Sequence, residues 1–431
     1  MPGDANKPLG FWSCWSLTVG TMIGSGVFML PAVLAPYGLL SFGGWVISGA
    51  GSILLALTLG RLAARTVRSG GPYVYARDAF GDFTGYLTAW GYWCSYWIAV
   101  PAIAIAFVGY LTVFMPVLND SPVLQCACAL ALIWSLALIN MRGLRETALA
   151  QLTMTVLKLV PLLAIIGLGF AVGAPANLPA FNPGDAPIPT ALAACALLTT
   201  WAFSGLECGT LPADNVSNPK RTIPRAVIAG TITVTLVYLA STAAVMLLVP
   251  ADALVNSTAP FADAARAFGA WGPMLVAAGA LVATAGALNG CIFVSGQVPL
   301  AVALDRLAPA MLTRRTNDGA PYLAVLVSTV LGSALLIANY TRGLLGAFTF
   351  LLMMATITAL APLVLSAIAE LRHSWRSARG WAGVALLTAI YLVFAIIGSG
   401  WEVMAWGAVL IVAGAPLFFL GRRQGAPASA D

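Results

Sequence analysis

The chain is short of charge. Of its 431 residues only 8% are Asp, Glu, Lys or Arg, against roughly 25% in an ordinary soluble domain. So few charges cannot cover the surface of a soluble protein of this size. The single histidine, His373, excludes multi-histidine haem or copper centres. Seven cysteines (Cys14, Cys94, Cys126, Cys128, Cys195, Cys208 and Cys291) form no C-x-x-C pair and lie in or beside apolar segments. They suggest neither a zinc site nor a disulfide framework. The 21 Lys and Arg form no basic patch or stripe, which sets nucleic acid aside despite a net charge of +6. Paired carboxylates and an H-E-x-x-H signature are missing, so an intramembrane enzyme is not expected, and no cofactor or metal is implied.

What the chain has instead is apolar length. Hydrophobic residues make up 60% of it and the mean hydropathy is +0.92. Lipid is the solvent this composition asks for. A helix needs about 20 apolar residues to cross the hydrocarbon core. By that ruler the sequence predicts an all-α membrane protein with 12 transmembrane helices, at 10–35, 41–64, 83–114, 123–141, 148–172, 190–212, 225–249, 273–301, 322–338, 344–369, 381–397 and 402–420. The runs are continuous rather than alternating, which argues against a β-barrel. Of the 21 Lys and Arg, all but Arg266, Arg342 and Lys158 then fall on one side. The positive-inside rule makes that side cytoplasmic. It places residues 1–9 and the tail 421–431 there.

Two runs are interrupted. The first reads Gly20-Thr21-Met22-Ile23-Gly24-Ser25-Gly26, and the sixth reads Trp201-Ala202-Phe203-Ser204-Gly205-Leu206-Glu207. Each glycine costs about 1 kcal/mol of helix propensity relative to alanine, so these clusters unwind readily. Unwound backbone in a bilayer must line a cavity or be buried in protein. The sixth run lies five helices on from the first, an odd offset, so a repeat built on them is inverted. Breaks at matching positions of inverted repeats point to a transporter binding site. The competing reading is small-residue helix packing, which suits Gly43, Gly44, Gly49 and Gly51 of the second run.

These residues carry a resemblance. Gly24-Ser25-Gly26-Val27-Phe28, Ser69-Gly70-Gly71-Pro72-Tyr73-Val74-Tyr75-Ala76-Arg77 and the Trp201 to Glu207 segment resemble the amino acid–polyamine–organocation (APC) transporters. Asn218-Pro219-Lys220-Arg221-Thr222-Ile223-Pro224 and Ser257-Thr258-Ala259-Pro260-Phe261 extend the match to about residues 9–420. Together they look like the basic amino acid/polyamine antiporter branch, which contains the arginine–agmatine exchangers. The resemblance implies a multi-pass protein of a bacterial inner membrane with the LeuT-type fold. That fold has a five-helix repeat (10–172), a second inverted repeat (190–369) and two further helices (381–420), through which relatives form homodimers. It implies that a substrate carboxylate meets backbone N–H groups of Ile23, Gly24, Ser25 and Gly26. The substrate ammonium would meet carbonyls of Trp201, Ala202 and Ser204. Both placements are sound physically, because half-helix ends present free N–H or C=O groups and partial charges.

Lys158 and Glu207 are the charges that the loops do not claim, and an ionisable group at bilayer depth is a functional hypothesis by default. In sodium-independent relatives that carry neutral amino acids, a lysine in the fifth helix takes the place of a sodium ion, whereas the arginine exchangers usually hold an apolar residue there, so the resemblance makes Lys158 imply transport without sodium. Glu207 is expected to couple protons to the cycle; the alternative is a structural acid bonded to the unwound backbone. Tyr92, Trp93, Trp97 and Val100 share a face of the third helix by spacing, and Tyr92 and Trp201 are the aromatic candidates for the site. Trp90, Trp271, Trp381 and Trp401 lie near helix ends and read as interfacial residues. Two departures bear on substrate. Val100 stands where arginine exchangers hold an amide, and Cys291 where they hold a tryptophan. The expectation is a secondary amino acid transporter working by alternating access on neutral amino acids, by exchange or with protons. A basic amino acid/polyamine antiporter is the alternative, and a channel is the alternative of another class.

Overall fold

The computed structural model describes residues 10–24, 26–65, 72–142, 148–205, 219–316 and 319–424. They are helical, with no strand among the described residues. Lipid imposes this, since it offers no partner for backbone N–H and C=O groups. The α-helices are α1 (Phe11–Met22), α2 (Gly26–Leu34), α3 (Ser41–Arg65), α4 (Pro72–Phe80), α5 (Asp82–Leu111), α6 (Pro122–Met141), α7 (Ala148–Val172) and α8 (Ile188–Thr200). They continue with α9 (Pro219–Leu248), α10 (Ala251–Leu254), α11 (Pro260–Ala264), α12 (Gly272–Leu304), α13 (Tyr322–Asn339), α14 (Leu344–Ser374), α15 (Arg379–Ile397) and α16 (Gly400–Gln424). Among the described residues nine helices are long and apolar enough to cross a membrane, and Leu159–Val172 and Ile188–Phe203 are shorter apolar helices.

The helices sort into two packed groups. In the first, α5 is the most deeply buried of the membrane-length helices. Its apolar residues run round the whole circumference, the pattern of a helix surrounded by protein. It packs against α12 and α14, with α6 and α13 on another side. In the second group α1 lies on α9, and α3 lies on both α8 and α9. α7 rests on α9 and α12, and α15 covers α14 and α3.

Small residues set these distances. A Cβ on Gly44 would lie 2.5 Å from that of Cys195 on α8, and one on Gly51 would lie 2.4 Å from the Tyr391 ring. Gly43 and Gly49 meet Leu192 and Thr235 in the same way. The packing role expected of these glycines is therefore seen. Between α5 and α14, Gly91 faces Pro362: its Cβ would be 2.9 Å from Pro362 Cγ and 3.0 Å from the Thr358 carbonyl oxygen.

A buried charge was absent from the sequence reading. Glu370, one residue past the end assigned to the tenth run, is fully buried near the end of α14. Arg61 Nε donates to it at 3.0 Å, Arg65 Nη1 at 3.2 Å and Ser374 Oγ at 2.5 Å. The interfacial tryptophans also divide. Trp271 and Trp401 are exposed, as expected. Trp90 instead packs on Gly414 and donates its Nε1 hydrogen to the Leu410 carbonyl at 2.7 Å. The ring of Trp381 lies under the Arg61 guanidinium, 4.6 Å from its centroid.

Candidate functional site

The first apolar run stops being helical where its glycines cluster. α1 ends at Met22, Ile23 turns extended (ψ 91°), and helix resumes at Gly26 as α2. The sixth run does the same. α8 ends at Thr200, a 3₁₀ turn covers Trp201–Phe203, and Ser204 turns extended (ψ 139°). Gly205 follows with φ +96°, a left-handed conformation that a side chain disfavours.

The two breaks touch. A Cβ on Gly26 would lie 2.6 Å from Trp201 Cδ1 and 3.0 Å from its Nε1. The indole therefore sits where any other residue at 26 would carry its side chain. Behind the breaks, the fully buried Tyr238 of α9 places its hydroxyl 2.7 Å from the Met22 carbonyl oxygen and 3.0 Å from that of Ala202. One donor thus serves a freed carbonyl from each interrupted helix. Trp45 and Phe203 pack on its ring, with centroids 4.9 and 5.6 Å away.

In front of the breaks is a cavity of about 280 Å³. α5 contributes Tyr92, Ser95, Tyr96, Ala99 and Ile103, spaced by three and four residues along one face. α12 contributes Gly286, Ala287, Gly290, Cys291 and Val294; α14 contributes residues between Ala355 and Leu363. All three stretches are near the middle of their helices, so the cavity is at mid-membrane depth. No charged side chain lines it among the described residues. Its polar groups are hydroxyls, Cys291, the Trp201 indole and backbone, and Ser95 and Thr356 already donate to carbonyls of their own helices.

The structure gathers most of the sequence-derived site here. Gly24, Gly26, Tyr92, Trp201, Ala202, Ser204 and Cys291 all line the cavity. A Cβ on Gly24 would have nothing nearer than 3.9 Å, so this glycine opens space rather than closing a helix contact. Two residues need correcting. Val100 is buried but faces α13, where a Cβ on Gly332 would lie 3.7 Å from Val100 Cγ1. One residue along a helix is a 100° turn, so with Ala99 on the cavity Val100 points away. Ile23 is also buried outside the lining, and its N–H already donates to the Val19 carbonyl at 3.0 Å. Trp93 and Trp97 turn from the cavity as well, and Trp93 donates to Ser328 on α13 at 2.8 Å. Ser25 and Glu207 lie outside the described residues, as does the side chain of Lys158. The residues that sequence reasoning missed are Tyr96, one turn after Tyr92, and Tyr238.

Comparison with known proteins agrees with this construction. The amino acid permease family matches residues 9–421. The cadaverine/lysine antiporter of Escherichia coli (strain K12) is 35% identical over 77% of this chain and 74% of its own length. The putrescine transporter PotE of the same strain is 30% identical over 94% of each chain. A putative arginine/ornithine antiporter of Bacillus subtilis (strain 168) is 28% identical over 97% of this chain and 96% of its own. With two unwound helices meeting at a mid-depth cavity and a match along nearly its whole length, the chain belongs to the amino acid permease family of the APC superfamily, in the basic amino acid/polyamine antiporter branch.

Proposed function

We propose that the protein is an antiporter that exchanges a basic amino acid for an organic amine across a cell membrane by alternating access. The observation that carries the reading is the pair of helix breaks, joined through Tyr238 and opening onto one cavity. The neutral-substrate expectation is corrected. It rested on Val100, Cys291 and Lys158; Cys291 lines the cavity, Val100 does not, and the Lys158 side chain lies outside the described residues. The relatives are named for cadaverine, lysine, putrescine, arginine and ornithine. Tyr92 and Tyr96 also supply aromatic groups at the cavity, of the kind that attracts cations.

The fold underlying this proposal has twelve spans, both termini cytoplasmic, and a LeuT-type inverted repeat of 10–172 and 190–369 followed by 381–420. Its support is a pairing pattern. If α1–α2, α3, α5, α6 and α7 correspond to α8, α9, α12, α13 and α14, then α1 on α9 has its counterpart in α8 on α3. Likewise α5 on α14 matches α12 on α7, and α5 on α13 matches α12 on α6. Each of these contacts occurs twice, as a two-fold relation between halves requires.

In the proposed cycle the substrate carboxylate meets the first turn of α2 from Gly26, where helix N–H groups have no intrahelical partner. The ammonium meets Ala202 and Ser204 carbonyls. The acid this cycle assigns to the distal cation is Glu207, which follows cavity-lining Gly205 by two residues in the sequence. A carboxylate left alone at this depth is costly, so the carrier reorients with either cation bound and poorly when empty. Exchange follows from that cost. Lys158 takes the role of a coupling sodium ion.

Proteoliposomes loaded with lysine are expected to take up cadaverine at least tenfold faster than empty ones, with no loss when choline replaces sodium. Glu207→Gln should slow exchange of both cations. Equal uptake into empty vesicles, or leucine competing as well as lysine, would overturn the proposal. Tyr238→Phe tests the joint between the breaks. Losing one hydrogen bond of about 1.4 kcal/mol predicts roughly tenfold slower exchange. Its ring contacts with Trp45 and Phe203 keep the protein folded. A wild-type rate in this variant would show that the hydroxyl does not hold the breaks together.

A further inference from the structure

A second cavity, of about 590 Å³, lies where α2 leads into Pro36 and Tyr37, against the first turns of α14 and α16. It is at the end of α2 away from the chain's start. Leu198 and Met353 are part of its wall. Two residues on, Thr200 and Ala355 line the central cavity. The outer cavity is therefore stacked on the central one along α8 and α14. Its lining includes one acid, Glu402, and one base, Arg342.

Those two residues are arranged as a receptor around a cation. Arg342 Nη2 donates to Glu402 Oε1 at 2.8 Å. The same guanidinium lies over the Phe350 ring, 4.1 Å from its centroid. Carboxylate below and aromatic face beside is how a protein holds an ammonium or guanidinium ion. Trp401, 83% exposed, stands at the rim and offers a further aromatic face. The pair has no strong structural role: the two side chains are 42% and 58% exposed, and exposed ion pairs contribute little to stability.

Resting on the antiporter reading above, we propose that Glu402, Phe350 and Trp401 form an outer binding site for the cationic end of a diamine or basic amino acid, with Arg342 as its built-in competitor. An arriving cation displaces Arg342 from Glu402 and waits above the central cavity. Filling the site with the protein's own guanidinium keeps the mouth neutral between substrates.

The test uses two substitutions that break one ion pair. Exchange of external cadaverine for internal lysine is measured in proteoliposomes over a range of external concentrations. Glu402→Gln removes the site and should raise the external KM about fivefold with kcat unchanged. Arg342→Gln removes the competitor and should lower the external KM about threefold. Thermal unfolding of each purified variant checks that it is folded, and Arg342→Ala replaces a variant that is not. Opposite signs support the site. If the pair only ties α14 to α16, both substitutions move KM and kcat in the same direction, and the inference falls. Unchanged KM in both overturns it equally. Should the wild-type protein exchange no cationic amine at all, the antiporter reading fails first and separately.

Discussion

Gly26→Val is expected to abolish exchange, to below about one hundredth of the wild-type rate, which corresponds to ~2.7 kcal/mol in the barrier. Its Cβ would start 2.6 Å from Trp201 Cδ1 and 3.7 Å from the Ala202 Cα. Real Cβ atoms do not approach that closely, and a rigid indole with backbone behind it cannot yield by a small shift. Trp201 must rotate away, and the free volume it already lines is the central cavity. The two branches of valine add bulk at the start of α2, where helix N–H groups have no intrahelical partner. Gly24→Ala is the control. Nothing lies within 3.9 Å of its Cβ, so it should fold and exchange at a reduced but measurable rate. Initial exchange rates and thermal unfolding of both variants decide the matter. Near-normal exchange by Gly26→Val would mean that the two breaks separate during the cycle.

The double substitution Arg61→Ala/Arg65→Ala is expected to destabilise the protein by about 3 kcal/mol, more than Glu370→Gln does. Breaking a buried ion pair by removing the partner of the buried group costs roughly 3–5 kcal/mol, because a charge is left uncompensated. Glu370 is that buried group, at 0% exposure, and it would keep only the Ser374 hydroxyl as donor. The reverse change is milder. Glu370→Gln leaves two guanidiniums whose side chains are 27% and 33% exposed, and these can turn to water. Arg61 additionally retains the Trp381 ring. Thermal unfolding in detergent should rank wild type first, Glu370→Gln second and the double variant last. The opposite ranking would show that the arginines, not the acid, are the costly buried charges.

Helices were legible in this sequence wherever apolar runs were continuous, since a bilayer leaves the backbone no other regular choice. The breaks at Gly24 and Gly205 were legible for the complementary reason: glycine clusters and polar residues weaken helix just where neighbours are apolar. Orientation about the helix axis was not. α5 is apolar on every side, so its apolar pattern carries no phase and does not tell Val100 from Ala99, which lines the cavity. The better signal was polar: Tyr92, Ser95 and Tyr96 mark one face. Glu370 escaped because a charge at the end of an apolar run is counted with the loop, whether or not the fold closes over it. Tyr238 escaped because a lone phenol in an apolar helix looks like any core aromatic until the carbonyls it reaches are in place.

The buried tie at Glu370 anchors one end of the 31-residue helix α14, while the exposed Arg342–Glu402 pair lies just before its other end. A beam clamped at one end does not pivot there; it flexes beyond its support. Pro362 sets where. Its ring supplies no N–H to the Thr358 carbonyl one turn back, so the helix lacks a rung there and bends at lower cost than elsewhere. Gly91 of α5 leaves room against that proline. The compliant point thus sits beside the cavity wall from Ala355 to Leu363, and strain applied beyond the Glu370 anchor is taken up at the level of the cavity.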